Sequence, residues 1–212
     1  MKTRERILEE ALKLFNEQGV STVSSKTISQ EMGISYGNLC YHFPKKDDII
    51  LELYLSMQKE VDEQFKNIEK EIFEFDFMLM SLGKLMGVFY KYKFIFLGFS
   101  RVNRRFDEIK RHAQQQFEKR KTILRNLTNF LIAKGYVKYE KIEGHYEKFI
   151  HGLLILFNSW ITDSEFFYKG KPEEKISYYL ELLFSIIRPT LTSEGAKAFA
   201  KVYESEEFLK FQ

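Results

Sequence analysis

Residues 24–43, SSKTISQEMGISYGNLCYHF, decide the fold class of this chain. Ser24 can cap a short helix, and Gly33 then supplies a residue that tolerates a tight turn. Ser35 can cap a second short helix, which ends before Pro44. Apolar side chains on both segments can lock the two helices together. The stretch therefore predicts a helix-turn-helix, whose second helix has a shape that fits the major groove of DNA.

The apolar spacing on both sides of this stretch is helical as well. A first amphipathic helix ends at Gly19, and a long helix is predicted over 46–68. Further helices are predicted over 76–92, 94–104, 107–134, 143–165, 173–188 and 193–204. The predicted fold is all-α. A three-helix DNA-binding head in 1–46 is joined to a larger helical ligand-binding and dimerisation body in 47–212.

Composition restricts the class of protein further. The chain has 212 residues, 44% of them hydrophobic and 30% charged, which is typical of a globular protein. Its single cysteine, Cys40, allows no internal disulfide. No secretory signal or bilayer-spanning apolar run is visible, so we expect a cytoplasmic protein without a membrane partner. The net charge of +3 is too small to indicate DNA binding, so that prediction rests on pattern.

The sequence offers no catalytic or metal-binding motif. His112, His145 and His151 lack the i,i+4 spacing of a helical metal site, and no thiol joins them. We find no nucleophile elbow, phosphate-binding loop or dinucleotide fingerprint. We therefore expect no enzyme activity, no metal and no cofactor.

The segment 33–50, GISYGNLCYHFPKKDDII, resembles the recognition region of the TetR family of bacterial transcriptional regulators. Agreement in order and spacing extends over residues 4–54. Cys40 departs from the family, which often has tyrosine there, and Lys45 occupies the usual polar N-cap position of the fourth helix. The resemblance implies a sequence-specific regulator, released from DNA by a ligand. It would be a repressor that acts as a homodimer on a near-palindromic double-stranded operator.

The resemblance also assigns DNA contacts residue by residue. Contacts to base edges are implied for Ser35, Tyr36, Gly37 and Asn38. Backbone contacts are implied for Tyr41, His42 and Lys46, with Ser24 and Lys26 contributing from the second helix. The residue types suit these roles, because asparagine matches an adenine edge and a tyrosine ring can meet a thymine methyl. Lysine and tyrosine hydroxyls hold phosphates without reading sequence. The alternative is an ordinary helical corner whose aromatic side chains pack.

Two predicted helices near the C-terminal end carry wide apolar bands, more than one domain core can cover. The resemblance implies a four-helix bundle with their symmetry mates. The predicted dimer interface consists of Phe149, Leu153, Leu154, Phe157, Leu183 and Ile187.

The aromatic rings between residues 73 and 99 either fill the core or line an apolar cavity. The predicted binding set for an apolar or amphipathic effector is Phe89, Phe96, Phe99 and Trp160. The basic run 101–111 is a solvated face, an attractor for an anionic ligand or a contributor to the positive field near DNA.

An alternative function comes from another class of protein. An all-α small-molecule-binding or enzymatic bundle could carry the same N-terminal hairpin without binding DNA. Such a protein has no reason to expose Tyr36, Asn38 and Lys46, so the exposure of these side chains separates the two interpretations.

Overall fold

A computed structural model describes residues 2–70, 75–98 and 106–204. The helices are α1 Thr3–Gln18, α2 Ser25–Glu31, α3 Tyr36–His42, α4 Lys46–Lys70, α5 Phe75–Lys91, α6 Lys93–Leu97, α7 Asp107–Ala133, α8 His145–Phe166, α9 Lys175–Ile187 and α10 Ser193–Tyr203. Short 3-10 turns at Pro172–Glu174 and Arg188–Thr190 flank α9. Within the described ranges no strand forms, and one isolated bridge pairs Val137 with Leu191. The all-α prediction is confirmed.

Most helix bounds follow from local sequence. Gly19, with φ of 81°, ends α1, and its N–H donates to the carbonyl of Phe15. Gly33 adopts φ of 64° in the turn between α2 and α3, a region that side chains disfavour. At the start of α4 the backbone N–H of Lys45 donates to the Asp48 carboxylate at 2.9 Å, so the helix is capped although lysine is a poor cap. The predicted helix over 94–104 is described only through α6, because 99–105 lie outside the described residues.

The contacts divide the chain into two compact units. Unit 1 comprises 1–62 and 88–110, and unit 2 comprises 63–87 and 111–212. The division falls inside α4, α5 and α7, so each of these helices contributes residues to both units. The proposed boundary between a head in 1–46 and a body in 47–212 stays a prediction.

Unit 1 packs its short helices around aromatic and branched side chains. Ile28 of α2 and Leu39 of α3 are completely buried, and α1 packs on both α2 and α6. The ring of Phe15 lies 5.3 Å from that of Phe94. Beside it, the Asn16 amide donates to the carbonyl of Lys91 at 2.8 Å and accepts from the N–H of Phe94 at 3.1 Å. One side chain of α1 therefore holds the turn between α5 and α6.

Unit 2 is built around α8 and α9, which pack against each other. Trp160 is buried with its ring 5.4 Å from that of Tyr179, whose hydroxyl donates to Asp163. α10 docks where Gly195 meets the chain after α7, since a Cβ at that position would lie 1.9 Å from the carbonyl oxygen of Tyr136. Among the described residues, no helix is both long and apolar enough to cross a membrane.

Candidate nucleic-acid interface

Helix α3 has one side fixed in the core of unit 1 and one side open to solvent. Leu39 is completely buried, whereas the ring of Tyr36 is 54% exposed and that of Tyr41 is 84% exposed. The other residues predicted to contact base edges, Ser35, Gly37 and Asn38, are exposed too. All four residues predicted to read bases are therefore exposed, at the start of a helix that Leu39 anchors in the core of unit 1.

Hydroxyl caps fix the start of both helices in the helix-turn-helix. The Ser24 hydroxyl accepts from the backbone N–H of Thr27 at 3.0 Å, and the Ser35 hydroxyl accepts from that of Asn38 at 3.2 Å. Each cap satisfies an N–H group that the helix itself leaves without a partner. Lys26, in the first turn of α2, is exposed. The two serines therefore support the interface whether or not they also contact DNA.

Gly37 is a glycine that the protein itself does not require. Its backbone φ is not positive, and an added Cβ would meet nothing within 4 Å. A glycine in a helix costs stability relative to alanine. The absence of a side chain at Gly37 therefore leaves open space at the surface of α3, as the close approach of a DNA backbone or base requires.

Lys46 has a structural role that the sequence did not reveal. Its ammonium group donates to the carbonyl of Val20 at 2.8 Å and to that of Val23 at 2.9 Å. These carbonyls belong to the loop between α1 and α2, whereas Lys46 opens α4. The contact ties the loop before the helix-turn-helix to the helix after it. No local pattern predicts it, because the partners are 23 and 26 residues away.

The C-terminal end of α3 carries the remaining predicted backbone contacts. The Tyr41 and His42 rings meet edge to face, with centroids 5.2 Å apart, and His42 is half-buried. The Arg4 guanidinium lies 4.8 Å from the centroid of the Phe43 ring. On the preceding turn, a hydrogen bond with the Cys40 side chain raises the pKa of Tyr36. The Tyr36 phenol is accordingly protonated at neutral pH and can donate a hydrogen bond.

Unit 2 contains an apolar cavity of about 140 Å³, lined by α4, α5, α7, α8, α9 and the segments that follow α7 and α9. The lining includes all six residues predicted for the dimer interface: Phe149, Leu153, Leu154, Phe157, Leu183 and Ile187. Other apolar side chains of the same two helices are exposed instead. They are Ile155 and Phe166 on α8, and Tyr178, Leu182 and Ile186 on α9, here called the outer set.

Comparison with known proteins identifies the family. Residues 7–53 match the model described as "Bacterial regulatory proteins, tetR family". Residues 56–199, more than half of the chain, match the model described as "Bacterial transcriptional repressor". The chain belongs to the TetR family. The predicted resemblance is confirmed, and both matched models describe bacterial regulators.

Solved TetR structures share the fold. A TetR-family regulator from Marinobacter aquaeolei VT8 superimposes with a TM-score of 0.80 at 20% identity, over 100% of both chains. The ketosteroid transcriptional regulator KstR2 of Mycobacterium tuberculosis gives a TM-score of 0.64 at 17% identity, over 91% of this chain and 96% of that one. A regulator from Saccharomonospora viridis, in complex with choline, gives 0.62 at 19% identity, over 89% and 96%.

Curated relatives match over a shorter region. The HTH-type transcriptional regulator SAUSA300_2515 of Staphylococcus aureus is 37% identical over 87 residues. The match covers 39% of this chain and 45% of the relative, so it spans less than half the length of that protein.

The residues predicted to bind a ligand in this TetR protein are divided between the two units where the structure describes them. Phe89 and Phe96 lie in unit 1 with ring centroids 4.6 Å apart, whereas Trp160 lies in unit 2. None of these three lines the cavity. Phe99 and the basic residues 101–105 lie outside the described residues. The predicted ligand set stays a prediction. Within the described ranges, no group of three potential metal ligands occurs.

Proposed function

We propose that this TetR-family regulator is a repressor that binds a near-palindromic operator as a homodimer and leaves it when a small molecule binds. It would act in the bacterial cytoplasm, where the chromosome lies. The single observation that carries the DNA-binding part is the exposed polar face of α3, which Leu39 anchors from behind. The model that matches residues 56–199 is described as "Bacterial transcriptional repressor", which supports repression rather than activation.

In the proposed complex, the first turn of α3 enters the major groove. Tyr36 and Asn38 are exposed on this turn and carry the donor, acceptor and ring atoms that base edges recognise. Gly37 lies between them and leaves the helix backbone free to approach a base. Base readout is therefore assigned to Ser35, Tyr36, Gly37 and Asn38.

Contacts to phosphates flank this face. Tyr41 extends from the end of α3 with most of its ring exposed, and Lys26 is exposed on α2. His42 and Lys46 are only half-buried, so both remain reachable from solvent. Because Lys46 also holds the carbonyls of Val20 and Val23, we assign it a double role: it positions the head and contributes positive charge toward the DNA backbone.

The proposed dimer interface uses the outer set on α8 and α9. Ile155, Tyr178, Leu182 and Ile186 are between 38% and 56% exposed, and Phe166 is 76% exposed. The residues predicted from sequence instead face the cavity of their own unit, which leaves them less available to a partner. Covering the outer set with a second copy would remove exposed apolar area from water and would bring two recognition helices to successive turns of DNA.

Release from DNA requires a ligand that prefers a conformation unable to bind the operator, since equal affinity for both states shifts nothing. The cavity supplies a place for such a molecule. The solved structures similar to this chain include a regulator in complex with choline, so the fold accommodates a small molecule in that protein. The Asn16 side chain links α1 to the turn between α5 and α6. A displacement of that turn would therefore also displace α1, which packs against α2 of the helix-turn-helix.

The test begins with a selection of bound sequences from random duplex DNA by the full chain. Asn38→Ala is then compared on the selected site. We expect a loss of about 1–3 kcal/mol in binding free energy and relaxed preference at one base pair per half-site, because asparagine reads an adenine edge.

Asn126→Ala is the matched control, because Asn126 is also an exposed asparagine on a helix but lies in α7. Its affinity should equal that of the wild type. Equal affinity of Asn38→Ala and wild type on every selected site would contradict the base-reading role. Failure to select any duplex would contradict the proposed operator binding itself.

A further inference from the structure

The cavity in unit 2 is apolar in a way that restricts its ligand. Nineteen described residues line it, and three of these, Thr128, Tyr146 and Thr190, carry polar side chains. No lysine, arginine or histidine belongs to this lining. The chemistry of any occupant is therefore set by three hydroxyl groups and by hydrocarbon.

All three hydroxyl protons are already committed to backbone carbonyls. Thr128 donates to the carbonyl of Leu124 at 2.8 Å, and Thr190 donates to that of Ile187 at 2.7 Å. The Tyr146 hydroxyl donates to the carbonyl of Lys138 at 2.7 Å. Burial, followed by the nearby Glu140 carboxylate, raises the pKa of Tyr146, so the phenol keeps its proton at neutral pH. Among the nineteen described lining residues, no side-chain donor remains uncommitted to receive an anion.

An ion in contact with these side chains would lose part of its hydration and would gain no uncommitted donor or counter-charge from the described lining, which is costly. Water is also a poor occupant, since a buried water needs two to four polar partners. An apolar molecule loses little and gains dispersion contacts. The volume of about 140 Å³ is similar to that of engineered cavities of about 150 Å³, lined by Leu, Ile and Phe, that stay dry and bind benzene.

We propose that this cavity binds a neutral, apolar molecule of about the size of a substituted benzene, and that anionic effectors are excluded. This inference deepens the proposed release by a small molecule and rests on it for its biological meaning. It differs from the expectation of an anionic ligand attracted by the basic run 101–111, which stays a prediction; among the described side chains of that run, none lines the cavity.

The test uses the full-length protein and two probes of nearly equal shape, cumene and benzoate. Binding is measured by saturation-transfer NMR and by the shift in melting temperature, without DNA. We expect cumene to bind saturably and to raise the melting temperature. Benzoate should bind at least about 100-fold more weakly, because its carboxylate would be buried without donors. Equal binding of the two probes, or no binding of cumene up to its solubility, would overturn the proposal.

Two substitutions locate the binding. Leu153→Phe adds volume inside the cavity and should weaken cumene binding at least about tenfold, whereas Leu55→Phe makes the same change at an exposed site on α4 and should leave it unchanged. Thr128→Val removes a lining hydroxyl at constant shape and should change cumene affinity by less than about twofold. Loss of cumene binding in Thr128→Val, with the melting temperature retained, would show that binding depends on that hydroxyl and would overturn the assignment to apolar contacts.

The same probes separate this proposal from the proposed function. If cumene binds in the cavity and leaves affinity for the selected DNA unchanged at saturation, the ligand class stands and release by a ligand bound there fails. If cumene binding instead splits the dimer in light scattering and Leu153→Phe has no effect, the probe occupies a subunit contact and the cavity assignment fails.

Discussion

The α3 face in unit 1 and the cavity in unit 2 differ in polarity and in the way their side chains are held. The α3 face is polar and exposed, and its position is fixed by hydroxyl caps and by buried Leu39. The cavity is apolar, and the helices around it leave about 140 Å³ between their side chains. DNA reading depends on atoms held at set positions, whereas a ligand response depends on volume that packing leaves unfilled. The same chain thus combines a polar surface held by defined contacts with an interior that leaves apolar space unfilled.

The largest expected effect contrasts the inner and outer sides of the helices in unit 2. Leu154 on α8 is buried at the cavity, whereas Ile186 on α9 is 41% exposed. Leu154→Glu should lower the free energy of unfolding by at least about 3 kcal/mol, because it removes apolar packing and buries a charge. Ile186→Glu should leave the subunit folded and shift the dimer to monomer.

Urea unfolding and light scattering measure these two outcomes separately. A folded, monomeric Leu154→Glu protein would support the interface predicted from sequence over the outer set. A dimeric Ile186→Glu protein, tested at micromolar concentration, would remove Ile186 from the interface proposed here.

The second test addresses how rigidly the head is held. Lys46→Met keeps the length of the side chain and removes the donors to Val20 and Val23, so it should cost about 1–3 kcal/mol in the free energy of unfolding. Affinity should fall on all DNA sequences alike, and the slope of log affinity against log salt should become shallower by about one unit. Lys45→Met, at the exposed neighbour, is the control for stability. An unchanged unfolding free energy in Lys46→Met would remove its structural role, and an unchanged salt slope would remove its phosphate contact.

Gly37→Ala separates the needs of the fold from those of DNA binding. Alanine is the better helix former and meets open space here, so stability should rise by up to about 1 kcal/mol. DNA affinity should drop by about tenfold or more, since the methyl group occupies the space assigned to DNA. Gly87→Ala, in α5 and equally unobstructed, should change stability in the same direction without affecting DNA binding. Unchanged DNA affinity in Gly37→Ala would mean that no base or phosphate approaches this position.

The smallest effect is a pH dependence in unit 1. A hydrogen bond from Arg4, with an N–O distance of 3.0 Å, lowers the pKa of Glu52. A carboxyl group with a lowered pKa stabilises the fold above its unfolded pKa, and that contribution is lost as the pH falls through its folded pKa. Both side chains are partly exposed, so we expect about 0.2–1 kcal/mol.

Glu52→Gln should therefore be less stable than the wild type at pH 7 and equal to it near pH 3. Urea unfolding at the two values gives the difference, with Glu9→Gln, at an exposed glutamate of α1, as the control. A constant gap between wild type and Glu52→Gln from pH 7 to pH 3 would mean that Glu52 titrates alike in the folded and unfolded chains.

Most of the head could be predicted from sequence because its signals are local. Ser24, Gly33 and Ser35 each act within four residues of their own position, and the structure uses them as caps and turn. Exposure along α3 follows from one buried leucine in a seven-residue helix. The contact of Lys46 with Val20 and Val23 could not be predicted, since its partners are 26 and 23 residues away in sequence.

In unit 2 the helix bounds could be predicted but the direction of their faces could not. α8 and α9 carry apolar residues over more than one side, so helical spacing alone does not distinguish a side chain that lines a cavity from one that faces solvent. Leu182 and Leu183 are adjacent in sequence, yet the first is 38% exposed and the second is 4% exposed. The i,i+4 spacing places Tyr178, Leu182 and Ile186 on one side of α9, and it equally places the cavity-lining residues Leu183 and Ile187 on another side. The sequence alone does not show which of the two sides is buried.

The unfilled volume in unit 2 also has a mechanical consequence. Unfolding eliminates internal voids, and hydrostatic pressure favours whichever state occupies less volume. The part of this cavity that stays dry should therefore add to the volume decrease on unfolding, making the protein sensitive to pressure as well as to heat. A molecule that fills the cavity would cancel that contribution. Resistance to pressure would then report occupancy directly, in a solution that contains no DNA.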